Sequence, residues 1–265
     1  MTNWPHRRVI IPSHHRADLV GEKTLAFLDR VAWPHERITI LVADEKQAAE
    51  YREIHPTIEV LVSALGLVQS RQWAIDNLLA EGEEMLWMDD DITDIVRALP
   101  GAELSGEHSL EPVGMSQFMS LVDHGFAAAR VNDAWLWGIY PTANGYFMKH
   151  DMKVGLLHIV GAFYGQVIRR DAGLHLWYGD AKEDYERSLR HYEKDGAVVR
   201  LERFAVKTTY YRVKGGIEHR TVETVEKNVQ GLLCEWPSLV SRNPRRRSNY
   251  PEIKLVNPRM ERVVL

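Results

Sequence analysis

The chain has 265 residues, of which 45% are hydrophobic and 26% are charged, a composition typical of a folded globular protein. No apolar run approaches the roughly 18 residues that cross a bilayer, and the first residues lack the apolar segment of a secretory signal, so we expect a cytoplasmic protein. The single cysteine, Cys234, excludes an intramolecular disulfide framework and a cysteine-rich zinc site. A net charge of −4 gives no overall bias toward nucleic acid.

The first third of the chain alternates apolar runs with stretches of helical spacing. A strand, a helix and a further strand in repeated succession predict an open α/β sheet with a largely parallel order. In such sheets ligands bind at the carboxyl ends of the strands. The predicted strands are residues 8–13, 38–44, 58–62 and 85–88, and the predicted helices are residues 21–31, 46–54 and 66–79.

Polar residues follow three of these strands. Pro12 and Ser13 end the first strand, Asp44 ends the second, and three consecutive aspartates at positions 89–91 end the fourth. We therefore expect these residues to share one crevice.

The aspartate triplet has two readings. Strand alternation sends Asp89 and Asp91 to one face and Asp90 to the other, so two carboxylates converge on one point. Carboxylate oxygens suit Mg²⁺ or Mn²⁺, which favours a divalent-cation site. A solvated acidic turn is the alternative, because a core does not tolerate three adjacent unpaired carboxylates.

Arg71 lies on the same side of its predicted helix as the apolar residues Val68 and Ile75. An arginine in that position needs a partner. Either a nearby carboxylate forms a salt bridge with it, or a nucleotide lying across the strand ends contacts it.

The middle of the chain is less regular. Residues 93–114 lack a period and predict a long loop, either a functional lid or a disordered insert. A helix is predicted over residues 116–130 and strands over 135–140 and 155–168, with Gly161 and Gly165 marking close approach of a backbone or ligand. The aromatic turn at residues 140–147 suits stacking on a sugar or base, although a core position is the alternative.

Residues 179–192 begin with turn chemistry and continue as a helix that ends at Asp195 and Gly196. Glu183 and Asp184 open this helix, where acidic residues stabilise the helix dipole. Tyr185, Leu189 and Tyr192 are predicted to face inward, with Glu186 and Arg190 forming an outward i, i+4 pair. A further strand is predicted over residues 198–211.

Residues 9–92 resemble the nucleotide-sugar-binding half of a GT-A glycosyltransferase. The resemblance rests on a strand ending in Pro-Ser, a strand ending in Asp, a helix carrying Arg, and an apolar strand running into Asp-x-Asp. It implies a UDP-type donor whose diphosphate is bridged by Mn²⁺ or Mg²⁺. By this resemblance Ser13 and Asp44 contact the base or ribose, Arg71 approaches the base, Asp89 lies near the ribose or the metal, Asp91 holds the metal, and Pro12 and Asp90 belong to the donor site, Asp90 in a structural role.

The same resemblance implies an inverting reaction whose base lies at the start of a helix. Asp184 is the first choice for this base and Glu183 the second, because a carboxylate within reach of the acceptor hydroxyl takes its proton. His219, which follows a glycine pair, is the candidate for an additional metal ligand. A solvated loop histidine is the alternative.

The C-terminal half narrows the resemblance to the TET-associated glycosyltransferases. It rests on Asn-Gly-Tyr-Phe at 144–147, Val-Gly-Ala-Phe-Tyr-Gly at 160–165, Glu-Asp-Tyr-Glu-Arg at 183–187, Asp-Gly-Ala-Val-Val-Arg at 195–200 and Gly-Gly-Ile at 215–217. The family implies a phage-type enzyme that glycosylates the hydroxymethyl group of modified pyrimidines, such as 5-hydroxymethylcytosine, in DNA. Arg245, Arg246 and Arg247 are suited to the phosphate backbone, with a solvated tail as the alternative.

We therefore predict a single GT-A-like domain over residues 1–240, with a mostly parallel central sheet flanked by helices. Residues 1–95 form its nucleotide-sugar half, residues 96–240 its acceptor half, and residues 241–265 a basic tail. The predicted function is metal-dependent, inverting hexosyl or pentosyl transfer to DNA. The alternatives are a glycosyltransferase acting on a glycan or small molecule, and a non-catalytic nucleotide- or DNA-binding module.

Overall fold

The structure is a computed structural model that describes residues 7–101, 109–208, 221–246 and 248–257. Its first four strands are the predicted apolar runs, and they pair in parallel in the order β3-β2-β1-β4. Both faces of these strands are covered, which is why their sequences are continuously apolar rather than alternating. The strands are β1 (Arg8–Pro12), β2 (Ile38–Val42), β3 (Glu59–Val62) and β4 (Glu84–Met88).

The sheet continues beyond β4 in the order β9-β7-β10-β5-β6, and β8 pairs with β10. Following these pairings through the described strands, β1 to β4, β6, β7 and β10 point one way, whereas β5, β8 and β9 point the other way. The predicted α/β class with a mostly parallel central sheet is therefore confirmed. The added strands are β5 (Ile92–Ala98), β6 (Leu110–Pro112), β7 (Leu136–Tyr140), β8 (Met152–Gly155), β9 (Phe163–Val167) and β10 (Val198–Thr208).

Helices cover both faces of this sheet. Strand alternation sends Val9 and Ile11 into a core with α1 to α3 and α5, and sends Ile10 and Trp87 into a second core with α4. The helices are α1 (Ala17–Val20), continued by a π-helical turn (Gly21–Leu25) into α2 (Ala26–Arg30), α3 (Glu45–Ile54), α4 (Leu67–Asn77), α5 (Met115–Val131), α6 (Glu183–Asp195) and α7 (Val222–Glu235), with short 3-10 turns at His35–Arg37, Ala172–Leu174 and Asp180–Lys182.

A third apolar cluster joins α6 and α7 to a small two-stranded sheet, β11 (Val240–Arg242) and β12 (Ile253–Leu255). Within the segment predicted as a basic tail, Ile253 is only 1% exposed and packs in this cluster. The division of the chain into donor half, acceptor half and tail stays a prediction. No helix in the described part of the chain has the length and hydropathy needed to span a membrane.

The loop predicted over residues 93–114 is wrong in part, because β5 and β6 occupy both of its ends. Ile92, Ile95 and Val96 are fully buried where β5 pairs with β10, and the polar residues between them hide any simple alternation. Residues 102–108 lie outside the described residues, so the choice between lid and disordered insert falls there.

The single strand predicted over residues 155–168 is wrong in its first half, because only residues 163–167 form a strand within it and β8 ends where it begins. β8 ends at Gly155 and pairs with β10, whereas β9 starts at Phe163 and pairs with β4 and β7. The intervening chain has to cross from one part of the sheet to another. Residues 209–211 at the end of the strand predicted over 198–211 lie outside the described residues.

The predicted i, i+4 pair between Glu186 and Arg190 forms, but its predicted outward position is wrong. Glu186 is 0% and Arg190 7% exposed, because the chain before α6 and helix α7 cover that side of the helix. Tyr185 and Leu189 are buried as predicted. The sequence reasoning did not predict α7, and so left this covering partner out.

Candidate active site

The carboxyl ends of β1 and β4 are tied together by a buried hydrogen-bond network. Ser13 Oγ donates to Asp90 Oδ2 at 2.7 Å and lies 2.7 Å from the Tyr51 hydroxyl. Arg16 Nη1 donates to the other Asp90 oxygen at 3.1 Å. Asp90 is 5% exposed, and both its carboxylate oxygens are bonded within the protein. The roles predicted for Asp90 and Ser13 in the donor site stay predictions.

The flanking aspartates are different. Asp89 keeps 37% of its side chain exposed, and its carboxylate lies 3.4 Å from Arg71 Nη2. Burial raises the pKa of Asp89 to about 7, with Arg71 acting against this shift and Asp91 and Asp90 adding to it. Burial and the neighbouring Asp90 likewise raise the pKa of Asp91 to about 6.

Two half-buried carboxylates with raised pKa values fit a divalent cation, because a bound cation would offset the burial and the repulsion that now favour their protonated forms. The Asp91 carboxylate forms no ion pair with another described residue. No set of three His, Cys, Asp or Glu side chains converges to hold an ion within the described residues. His219, the predicted further ligand, lies outside them.

Arg71 links the aspartates to the start of α6. It is 3% exposed, and its Nη1 lies 2.6 Å from Glu183 Oε1, without the angle of a hydrogen bond, while Nη2 donates to the Gly161 carbonyl at 3.0 Å. Burial disfavours its charge, but Glu183 more than compensates and keeps the pKa of Arg71 above its usual value. Of the two partners predicted for Arg71, a carboxylate or a nucleotide, the structure contains the carboxylate, Glu183.

Glu183 is saturated by arginines. Its Oε1 contacts Arg71 and its Oε2 accepts from Arg187, one helical turn further along α6. The close approach predicted at Gly161 has its cause here, since a Cβ on that residue would lie 2.5 Å from Glu183 Oε1. At 4% exposure and with both oxygens engaged, Glu183 is poorly placed to accept a further proton.

Asp184 is the accessible acid of the pair. Its Oδ2 lies 2.9 Å from His158 Nε2, its Oδ1 accepts from the Tyr185 backbone N–H at 2.9 Å, and 23% of its side chain is exposed. Burial opposes ionisation, but His158 and then Arg187 bring the pKa of Asp184 well below its usual range. The carboxylate is therefore held ionised.

His158 is a site residue that the sequence reasoning missed. Its ring stacks on Tyr185 with centroids 4.1 Å apart and planes at 16°, which fixes the ring against Asp184. His158 is one of twelve histidines in the chain, and it lies within an apolar run of the sequence. No local pattern therefore distinguishes it from a core residue. Arg187 was equally missed, although its i, i+4 spacing from Glu183 was visible.

The other predicted site residues have separate local surroundings. Pro12 ends β1, half-buried, and Asp44 caps α3 by accepting from Gln47 N at 2.9 Å and Gln47 Nε2 at 2.7 Å. Both hydrogen bonds lower the pKa of Asp44, and the bond from the backbone N–H has the larger effect. Arg245 is exposed, and Arg246 lies 3.8 Å from Glu252. Arg247 is not among the described residues.

The fold is that of the GT-A nucleotide-sugar transferases. A crystal structure of GalNAc-T7 with UDP, GalNAc and Mn²⁺ superposes with a TM-score of 0.55 at 12% identity, over 88% of this chain. This chain spans 48% of the length of that protein. A 4-diphosphocytidyl-2C-methyl-D-erythritol synthase from Anaerococcus prevotii matches at 10% identity and TM-score 0.46, over 86% of this chain and 97% of its own.

The particular family follows from the sequence. The model of the TET-associated glycosyltransferases matches residues 7–216, most of the chain, and the chain therefore belongs to that family. Among curated proteins, none matches it. The predicted family and the predicted enzyme class, a nucleotide-sugar glycosyltransferase, are thus confirmed.

Proposed function

We propose that the enzyme transfers a sugar, with inversion, from a UDP-type donor to the hydroxymethyl group of a modified pyrimidine in DNA. The observation that carries the proposal is the bridge made by Arg71. It contacts Asp89 at the end of β4 and Glu183 at the start of α6. Because Glu183 directly precedes Asp184, this contact supports a single site for the acids assigned to the donor and the acid assigned to the acceptor hydroxyl.

Asp184 is the proposed base. The acceptor hydroxyl loses its proton to the Asp184 carboxylate while its oxygen bonds to the anomeric carbon, and the bond from that carbon to the nucleoside diphosphate breaks. His158 holds the carboxylate ionised before the reaction and orients it through the 2.9 Å contact. Glu183 positions Arg71 rather than accepting the proton.

The donor side is assigned to Asp89 and Asp91, with Pro12, Ser13 and Asp44 around the nucleoside. Asp89 and Asp91 would hold Mn²⁺ or Mg²⁺, with His219 as a further ligand. When bound, the cation neutralises charge on the leaving diphosphate. The Mn²⁺ and UDP in the GalNAc-T7 structure belong to that protein and support the assignment only by fold.

The DNA acceptor rests on the family and on the basic segment. Arg246 lies close enough to Tyr185, the residue after Asp184, to counteract in part the burial that raises the pKa of that tyrosine. Arg245 and Arg247 flank it in sequence, so phosphates bound there would bring a base toward Asp184. A phage-type enzyme working in the host cytoplasm is part of the same proposal.

A glycan acceptor is the second candidate. Tyr146 is 54% and Phe147 61% exposed at the aromatic turn, and exposed rings suit stacking on a sugar. A small-molecule acceptor would need less of this surface. In either case the donor site and Asp184 keep their roles.

The test is incubation with UDP-hexoses, UDP-pentoses and Mn²⁺ on DNA containing 5-hydroxymethylcytosine, followed by nucleoside mass spectrometry. We expect a hexose or pentose mass gain on the hydroxymethylated nucleoside and none on matched cytosine DNA. Donor hydrolysis with no mass gain on any hydroxymethylated DNA would overturn the DNA acceptor and favour the glycan.

A further inference from the structure

A cavity of about 30 Å³ lies between α4, α6 and the chain before α6, on the side of the sheet that carries Trp87 and Tyr164. It contains none of the acids assigned to the donor or to the base. Three arginines line it: Arg71, Arg169 and Arg187. A volume of this size has room for one or two water-sized groups, since a water needs roughly 10–15 Å³ by this measure.

The guanidinium groups leave donors unused. Among the buried side-chain polar atoms of the described residues, the Nε atoms of Arg71, Arg169 and Arg187 lack a hydrogen-bond partner. The side chains of Arg71 and Arg187 are 4% and 5% exposed, so bulk water does not satisfy these donors. Unpaired buried donors are costly, and their grouping around one cavity points to a missing acceptor.

The charged side chains that line the cavity are mostly positive, three arginines against one aspartate. Arg71 and Arg187 share the single carboxylate of Glu183, and Arg169 is held by Asp195 through two bonds of 2.8 and 3.0 Å. Asp171 is the acid that lines the cavity, and its carboxylate is already paired with Lys194 at 2.6 Å. The aromatic faces around the arginines are cation–π partners, not hydrogen-bond acceptors, with Arg187 Cζ 3.7 Å from the Tyr164 ring centre.

We propose that this cavity binds a small monovalent anion of halide size, which accepts from the unused Nε–H donors. The bound anion would restrict the motion of the arginines that hold Glu183. This proposal does not depend on which acceptor the enzyme uses. Gln166, 4% exposed, also lines the cavity and accepts from Trp87 Nε1 at 3.2 Å.

The direct test is anomalous diffraction from crystals of the wild-type protein grown or soaked in sodium bromide. We expect a bromide peak in the cavity within hydrogen-bond distance of guanidinium nitrogens. A cavity that holds only water in bromide, with no anomalous peak, would overturn the proposal.

The solution test compares melting temperatures in chloride or bromide with those in gluconate at the same ionic strength. A ligand that binds only the folded state stabilises it in a saturable manner, so we expect Tm to rise with halide and level off. Equal curves in halide and gluconate would contradict the site.

Gln166→Glu supplies a carboxylate of the same shape. Burying an unpaired carboxylate normally destabilises a protein, but in a cavity that selects anions this variant should fold and lose its response to halide. Gln166→Leu, which adds no charge, should keep the response. A halide response unchanged in Gln166→Glu would count against the cavity as its origin.

Discussion

At the scale of single residues, three adjacent aspartates occupy three environments. Asp90 is bonded to Ser13 and Arg16, Asp89 contacts Arg71, and Asp91 forms no ion pair with another described residue. Strand alternation predicted the separation of Asp90 from its neighbours. The contact from Arg71 to Asp89 was one of two possibilities in the sequence, because helical spacing shows the side an arginine faces but not what it meets.

The raised pKa values predict how stability depends on pH. Asp89 and Asp91 start from 3.8 in the unfolded reference and rise to about 7 and about 6 in the folded protein. The folded state therefore keeps protons that the unfolded chain has released, so these groups make the free energy of unfolding fall as pH rises from about 4 to about 7. Urea unfolding of metal-free protein at pH 5 and pH 8 measures the change.

Asp89→Asn removes one of these groups and should flatten the pH dependence relative to wild type. Asp76→Asn, an exposed change on α4, is the matched control and should leave it unaltered. Adding Mn²⁺ at pH 8 should raise the free energy of unfolding of the wild-type protein by more than it raises that of Asp89→Asn. An identical pH slope in Asp89→Asn and wild type would show that Asp89 does not bind a proton in this range.

His158 is a positioning residue in this scheme. In His158→Ala the Asp184 carboxylate loses the contact that does most to lower its pKa, so that pKa should rise toward the usual value. We expect kcat to fall less than in Asp184→Asn, KM for the donor to stay the same, and the acid limb of the pH–rate profile to move to higher pH. A lower kcat with an unshifted acid limb would point to a merely structural histidine.

At the scale of elements, α6 shows that the residue pattern of one helix does not reveal which other elements cover it. The sequence predicted its start, its inner residues and its end at Gly196, which adopts φ 77°. It did not predict that Glu186 is buried, because that depends on α7, which is distant in sequence, and on the way the chain at Trp177 and Tyr178 folds back onto the helix. Glu186 accepts from Trp177 N, Tyr178 N and Arg190, so its charge is fully compensated.

Glu186→Ala should therefore destabilise the protein by about 3–5 kcal/mol, because it leaves two backbone N–H groups without an acceptor and leaves the buried Arg190 with Glu235 as its remaining partner. The control is Glu226→Ala, which removes the exposed partner of Arg242 and should cost about 1 kcal/mol or less. Chemical denaturation measures both. Equal losses would mean that burial of the first pair contributes nothing.

At the scale of the whole molecule, one sheet carries both halves of the site. The parallel pairing of β1 to β4 was predictable because each of these strands is largely an apolar run, whereas their order, β3-β2-β1-β4, was not predicted. The antiparallel additions were not, since β5, β8 and β9 pair with strands far along the chain. His158 lies between β8 and β9 and reaches Asp184 through these long-range pairings, which explains why residue patterns alone missed it. Arg187 lies on α6 itself, one turn after Glu183.

The basic segment belongs to this scale because it would meet DNA across the acceptor half. Arg245→Ala with Arg246→Ala should weaken binding to all DNA sequences alike and reduce the salt dependence of binding, by about one unit of slope for each phosphate that is no longer neutralised. Fluorescence anisotropy at several salt concentrations gives the slope. A slope equal to that of wild type would place the DNA elsewhere.

The central claim is that the Asp184 carboxylate at the start of α6 accepts the proton from the acceptor. Asp184→Asn keeps the shape of the side chain but removes its charge, so it should lower the rate of sugar transfer by about 10²–10⁴-fold. Calorimetry in the presence of Mn²⁺ should show unchanged binding of the donor. Asp76→Asn should transfer at the wild-type rate. Turnover by Asp184→Asn equal to wild type would contradict the account, because Glu183, the neighbouring acid at the start of α6, is held by two arginines and cannot replace it.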